Sequence, residues 1–262
     1  MKLHILDTHF QGMAQVTAVY LVVGPEGPVL VETGPGSTLQ AILKALDGHG
    51  FGPADVRHVL LTHIHLDHAG AAGWWAQQGA QIYVHHVGAP HLIDPSKLLA
   101  SATRIYGAHM DALWGEVLPA PAERVTLLYD GDRIHAGGLT FTALDTPGHA
   151  YHHHTYRLRD YREGELAFTG DAAGVNLPLV DIVDLPAPPP EFHMETWLRT
   201  LDRLDRAGLD IIYPTHFGPV RDVHGHLVAL RGLMVDAVAF VAERRAAGVE
   251  RDALLAEYIA WN

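Results

Sequence analysis

The sequence predicts a mixed α/β fold: two β-rich halves alike in outline, a helical insertion between them, and a helical tail. Three observations predict it. Short apolar, valine-rich runs bounded by Gly, Pro and Asp recur between residues 3 and 61 and again between 125 and 213, the pattern of buried strands. Each group of runs is joined to a segment whose apolar residues fall three and four apart, as on one face of a helix. The segments at about 95–117 and 223–262 carry that helical spacing without strands.

Taken in order, Leu3, Ile5 and Asp7 open a strand, and 16–23 and 28–31 pair around Gly24-Pro25-Glu26-Gly27, residue types that suit a hairpin turn. Glu32-Thr33-Gly34-Pro35-Gly36 breaks the sheet. Ser37 is the expected N-cap of a helix that presents Leu39, Ile42, Leu43 and Leu46 and ends at Gly48 and Gly50. Strands over 57–61 and 81–85 flank a short helix over 69–78. In the insertion, Leu98, Ala102, Ile105, Tyr106, Leu113, Trp114 and Val117 repeat as plain packing requires, with a lid as the alternative role. Strands follow at 125–128, 139–144, 154–158 and 166–169, with a turn at Asp130-Gly131-Asp132. Pro186-Ala187-Pro188-Pro189-Pro190 excludes regular structure. A helix over 193–206 presents Trp197, Leu198, Leu201 and Leu204, and 211–213 is the last strand. Leu227, Leu230, Leu233 or Met234, Val238 and Val241 then form a stripe, Gly248 interrupts it, and Leu254, Leu255, Tyr258 and Ile259 form a short final helix. No shift in composition marks a boundary, so 1–222 reads as one domain with 223–262 packed on it.

Composition narrows the function. With 18% charged residues and recurrent apolar runs, the chain buries a core rather than staying disordered. A formal net charge of −12 opposes a phosphate-backbone partner, which needs a basic face. There is no cysteine, so any metal is held by nitrogen and oxygen, and neither a disulfide framework nor a thiolate nucleophile is available. Met1-Lys2-Leu3-His4-Ile5 has no signal-type apolar stretch, and no apolar run approaches the roughly 18 residues that span a bilayer. The expectation is a cytoplasmic protein with a small-molecule substrate, no nucleic acid and no membrane; its oligomeric state, a homodimer included, is left open.

Histidine stands out: 20 residues, more than lysine and arginine together. The positions matter more than the number. His63, His65, Asp67 and His68 fall within six residues, directly after the apolar run Val59-Leu60-Leu61. On a regular strand, residues two apart share a face, so His63 and His65 point together; Asp67 and His68 follow as the chain turns. Four such ligands cannot all close on one tetrahedral metal and leave room for water, so two adjacent metals fit better, given more ligands from elsewhere. Three candidates also end strands beside glycine or proline: His149, Asp171 and His216. His152, His153 and His154 read as structural or surface residues, and His85, His86 and His91 as ordinary ones.

His63-x-His65-x-Asp67-His68, followed in order by His149, Asp171 and His216, resembles the metallo-β-lactamase superfamily of metal hydrolases over about residues 3–220. Val31-Glu32-Thr33-Gly34 belongs to the same pattern, with glutamate where the family usually has aspartate. The resemblance implies a four-layer αβ/βα sandwich. It also implies one metal on His63, His65 and His149, a second on Asp67, His68 and His216, and Asp171 bridging them. The ions would be two divalent cations, zinc first, with iron or manganese as alternatives. Asp67 and Asp171 are the implied catalytic carboxylates, and the implied reaction is attack by a metal-bridging hydroxide on a small ester, thioester or lactone. The alternatives are an iron-dependent persulfide dioxygenase, a nuclease or phosphodiesterase, and a non-catalytic metal-binding protein. Tyr106, Trp114, Phe192 and Trp197 are candidates for an apolar acyl pocket, with core packing as the plainer role for each.

Overall fold

The computed structural model describes residues 1–160, 162–180 and 182–261. Strands β1 (Lys2–Asp7), β2 (Ala18–Gly24), β3 (Gly27–Val31), β4 (His58–Leu60), β5 (Gln81–His85) and β6 (Val125–Leu128) pair in chain order into one sheet. The first three are antiparallel and the rest parallel. Parallel neighbours need crossovers. These are α1 (Leu39–Gly48), then α2 (Leu66–Ala69) with α3 (Ala72–Gln77), then α4 (Ala89–Ile93), α5 (Ser96–Tyr106) and α6 (Met110–Trp114). Next come β7 (Arg133–Ala136), β8 (Leu139–Asp145), β9 (His154–Asp160) and β10 (Gly164–Gly170). A ribbon of β11 (Val175–Leu177) and β12 (Ile182–Asp184), the helix α7 (Met194–Arg206) and strand β13 (Ile211–Pro214) follow. The second sheet has the order β13-β10-β9-β8-β7. Helices α8 (Val223–Ala246) and α9 (Arg251–Trp261) close the chain.

Alternation along the strands sorts the apolar residues into layers. From β2, Tyr20 and Val22 enter the core between the sheets, where they meet Phe141, Tyr156, Leu158, Leu166, Phe168 and Tyr213. Val19 and Leu21 face the other way, onto Ile42 and Leu46 of α1 and Trp75 of α3. On the far side Ala167 and Ile212 of the second sheet pack on Trp197, Leu201 and Leu204 of α7 and on Leu227, Leu230 and Met234 of α8. The result is helix, sheet, sheet, helix, and it places the ends of β4, β8, β10 and β13 along one rim.

Several elements differ from the sequence expectation. β7 was not expected because only Ile134 and Ala136 are buried while Arg133 and His135 alternate with them in solvent; β11 and β12 are half-exposed along their length. Ser37 lies in a 3-10 turn, its hydroxyl donates to Leu113 O (2.6 Å), and Thr38 is the residue that immediately precedes α1. The helix expected over 69–78 is α3, shorter at its start, and the separate turn α2 precedes it from Leu66. The apolar length of the tail was also underestimated: α8 is long and apolar enough to cross a membrane, with mean hydropathy 1.6. Small apolar residues spread around Arg231 and Asp236 raise that mean without an unbroken run, and one face, Leu227, Leu230, Met234 and Ala237, is buried in the protein.

Candidate metal centre

All seven predicted ligands lie just beyond the C-terminal ends of strands: β4 for His63 to His68, β8 for His149, β10 for Asp171 and β13 for His216. His63 and His65 converge for a reason other than strand periodicity. β4 ends at Leu60, so neither is on a strand. His65 is extended (φ −60°, ψ 152°) and precedes the single turn of α2, which carries Asp67 and His68 on its first residues.

The structure gathers the seven into two adjoining sets. In the first, His63 Nε2 and His65 Nδ1 are 2.9 Å apart, His149 Nε2 lies 3.2 Å from the former and 2.9 Å from the latter. Ligands about 2.0–2.1 Å from a tetrahedral zinc lie roughly 3.3 Å from one another, so this triangle fits an ion of that size. In the second, Asp67 Oδ2 is 3.5 Å from His68 Nε2 and 3.3 Å from His216 Nε2. Asp171 stands between them. Its Oδ1 is 3.2 Å from His68 Nε2 and 3.5 Å from His216 Nε2, while its Oδ2 is 3.3 Å from His149 Nε2. His68 Nε2 and Asp171 Oδ1 are buried with no hydrogen-bond partner among the described residues. A buried polar atom left unpaired costs about 1–3 kcal/mol, and a cation between them would satisfy both.

The second nitrogen of three of the imidazoles is also accounted for. His149 Nδ1 donates to Pro186 O (2.8 Å) and His216 Nδ1 to Val16 O (3.0 Å). His68 Nδ1 donates to Glu32 Oε1 (3.2 Å). Each bond puts the proton on Nδ1 and leaves the Nε2 lone pair facing the site. Glu32, fully buried, does more: its carboxylate also accepts from Thr215 Oγ1 (3.1 Å), from the Thr62 amide (3.3 Å) and from the Thr62 hydroxyl. It thereby ties together the loops after β4 and β13, a role the sequence reading left open.

Electrostatics differ between the two sets. Burial, with the neighbouring imidazoles, pushes His63 well down and His65 down to about 3, and burial also lowers His149, so these rings are neutral. Burial works against the charged form of His68 and His216 too. There the carboxylates of Asp171 and Asp67 outweigh it and raise both. Asp67 and Asp171 in turn are held well below the usual carboxylate range: burial opposes this, but the surrounding histidines win. The second set therefore favours positive charge, as a cation site built from two carboxylates should.

This arrangement matches a known pattern over most of the chain. A family model described as the metallo-beta-lactamase superfamily covers residues 13–216. The chain belongs to that superfamily. The lactamase-like protein adaB of Aspergillus niger is 29% identical over 212 residues, covering 80% of this chain and 52% of adaB. The atrochrysone carboxyl ACP thioesterase of Aspergillus fumigatus is 29% identical over 210 residues, 79% of this chain and 52% of that protein. The chain thus spans about half the length of these relatives. The crystal structure of a metallo-beta-lactamase family protein from Thermus thermophilus superposes with a TM-score of 0.69 at 26% identity, covering 92% of this chain and 82% of the other.

In this superfamily member a cavity of about 670 Å³ is lined by five of the seven residues, His65, Asp67, His149, Asp171 and His216. Its apolar wall is Leu66, Leu98, Ile105, Tyr106 and Trp114, faced by the strap Pro186–Pro190. The insertion thus both packs, through Ala102 and Trp114 on Leu66, and walls the site. Of the four aromatic candidates, Tyr106 and Trp114 line the cavity. Trp197 is fully buried with its Nε1 donating to Ala172 O (2.8 Å), and Phe192 stacks edge-on against it.

The histidine run after His149 is buried rather than exposed. His152 Nε2 lies 3.2 Å from Glu191 Oε2, linking the end of the proline strap to the ring beside His65. His154 forms a further His-Asp-His group with Asp145 and His85. His154 Nε2 is 2.7 Å and His85 Nε2 3.6 Å from Asp145 Oδ1. The Val87 amide donates to His85 Nδ1 (3.1 Å), which puts that ring's proton on Nε2, aimed at Asp145. With its Nε2 protonated, His85 is no metal ligand, so the group is a brace joining β5, β8 and β9. Asp145→Ala should therefore cost about 1–3 kcal/mol, because it leaves a buried imidazole N–H without an acceptor. Urea denaturation of the metal-free protein measures it; an unchanged midpoint would refute the brace.

Proposed function

We propose that the chain is a metal-dependent hydrolase of small acyl substrates, an ester, thioester or lactone. The observation that carries this is Asp171, with one carboxylate oxygen facing each set of ligands at the end of an apolar cavity. His63, His65 and His149 would hold one divalent cation, Asp67, His68 and His216 a second, with Asp171 shared. An all nitrogen-and-oxygen donor set suits zinc, and also iron or manganese. Such ions supply water activated near neutral pH and polarisation of a carbonyl.

The chain's own residues do the rest. Leu66, Tyr106, Trp114 and the proline strap exclude water and seat an apolar acyl group with its carbonyl toward Asp171. The hydrogen bonds from His68, His149 and His216 to Glu32, Pro186 O and Val16 O hold the ring orientations, so little reorganisation is needed during reaction. Similarity to a protein named as an ACP thioesterase favours the thioester. The net charge of −12 favours a small molecule over a nucleic acid.

A screen of nitrophenyl esters, lactones, acyl-glutathione, bis-nitrophenyl phosphate and β-lactams tests this reading. Esters, thioesters or lactones should be hydrolysed; activity confined to the phosphodiester would refute it. Tyr106→Ala should raise KM about tenfold for long apolar acyl groups, since it removes roughly 1.4 kcal/mol of apolar contact. It should leave an acetyl ester nearly unchanged. Steady-state kinetics across an acyl-length series reads the difference.

A further inference from the structure

Asp171 is where β10 leaves the sheet, and its backbone amide has lost the strand partner that would pair it. The amide donates instead to a side chain, His153 Nε2, at 3.2 Å. His153 is fully buried. Because Nε2 accepts, a neutral ring carries its proton on Nδ1, and Nδ1 lies 2.8 Å from Thr146 Oγ1. That hydroxyl accepts from His153 and shares a second hydrogen bond with Thr155 Oγ1 at 3.1 Å. Thr146 and Thr155 are both fully buried, on the turn after β8 and on β9. Burial, with the neighbouring His149, holds His153 well below the usual imidazole range, in keeping with a neutral ring.

The backbone before Asp171 is built around this ring. Gly170 has φ +51°, and a Cβ there would lie 2.7 Å from His153 Nε2 and 2.4 Å from Thr62 Oγ1. Only glycine lets the chain pass so close to the imidazole. The other face of His153 packs on His63, with ring centroids 4.9 Å apart. One ring therefore fixes the Asp171 backbone and supports a ligand of the first set.

We propose that His153 is a positioning residue for Asp171: its Nδ1–H tautomer, set by Thr146 and Thr155, holds the Asp171 amide so that the carboxylate reaches both ligand sets. This rests on the reading of Asp171 as the shared ligand. A buttress of this kind differs from a merely packed histidine in needing an acceptor at the Nε2 position. Gln places an amide oxygen there, whereas Leu fills similar space without one.

The test compares wild type, His153→Gln, His153→Leu and Thr146→Val, using Zn(II) alone as the probe. In the metal-free protein, imidazole 15N shifts should give His153 as the Nδ1–H tautomer, and Thr146→Val should lose that preference. Competition with a chromophoric chelator should show His153→Leu binding zinc about 10–100-fold more weakly, the usual cost of losing a residue that orients a ligand, with His153→Gln within about fivefold of wild type. On the best substrate, kcat should fall with KM little changed. If His153→Leu does not fold, Thr146→Val is read in its place, in the same direction.

Wild-type zinc affinity in His153→Leu, equal losses in Gln and Leu, or an Nε2–H tautomer would overturn the proposal. Wild type binding a single zinc, or Asp171→Ala keeping both zincs at full affinity, would instead overturn the shared-ligand reading, and this proposal with it. The tautomer measurement involves no metal and separates the two failures.

Discussion

Asp171→Ala should lose turnover by about a thousandfold or more, since losing roughly 4 kcal/mol of charge stabilisation at the reacting centre is worth that factor. The variant should also purify with less than its full complement of metal. The Asp171 carboxylate is within 3.2–3.5 Å of one nitrogen from His68, one from His149 and one from His216, and among the described residues no other acidic group touches both sets. The backbone amide that meets His153 survives the substitution. Circular dichroism of the metal-free variant should accordingly match wild type. Near-normal turnover with both metals bound would show that the shared-ligand assignment is wrong.

Glu32→Ala should be the next most damaging change, and should act on stability and metal affinity together. The substitution strips the acceptor from His68 Nδ1, from the Thr62 amide and from the hydroxyls of Thr62 and Thr215. Threonine hydroxyls can turn to other partners, but the amide and the imidazole cannot. The expected loss is about 3 kcal/mol of folding stability and a 10–100-fold loss of metal affinity. Glu32→Asp should be intermediate. It keeps the charge one methylene short, and aspartate tolerates the positive φ of 68° at this position better than glutamate does. Urea midpoints with and without zinc separate the two effects. A variant that lost stability while binding zinc normally would make Glu32 a structural residue only.

The seven candidate residues could be named because His63 to His68 cluster after one apolar strand, His149, Asp171 and His216 each follow another beside glycine or proline, and the family resemblance joins them. The elements that orient them were not. Glu32 reaches His68 over 36 residues and Thr215 over 183, and nothing local to the turn at 32–34 marks those distances. His152, His153 and His154 read as structural or surface residues with no partner named, yet they lead into β9 beneath the site, where each is buried and meets a different partner. Helical spacing placed Tyr106 and Trp114 on one element but could not say that they wall a cavity while Trp197 fills a core. The strands that escaped notice, β7, β11 and β12, are short and half-exposed, so their apolar signal is weak. The convergence of His63 and His65 was anticipated for a strand reason, whereas an extended loop into α2 produces it.

The central claim is that seven residues form one site for two ions. Elemental analysis of the purified protein, set against its concentration by amino-acid analysis, tests it most directly. The account predicts two divalent ions per chain, falling in Asp171→Ala. A single ion per chain, and above all a single iron, would contradict it and point to oxidative chemistry instead.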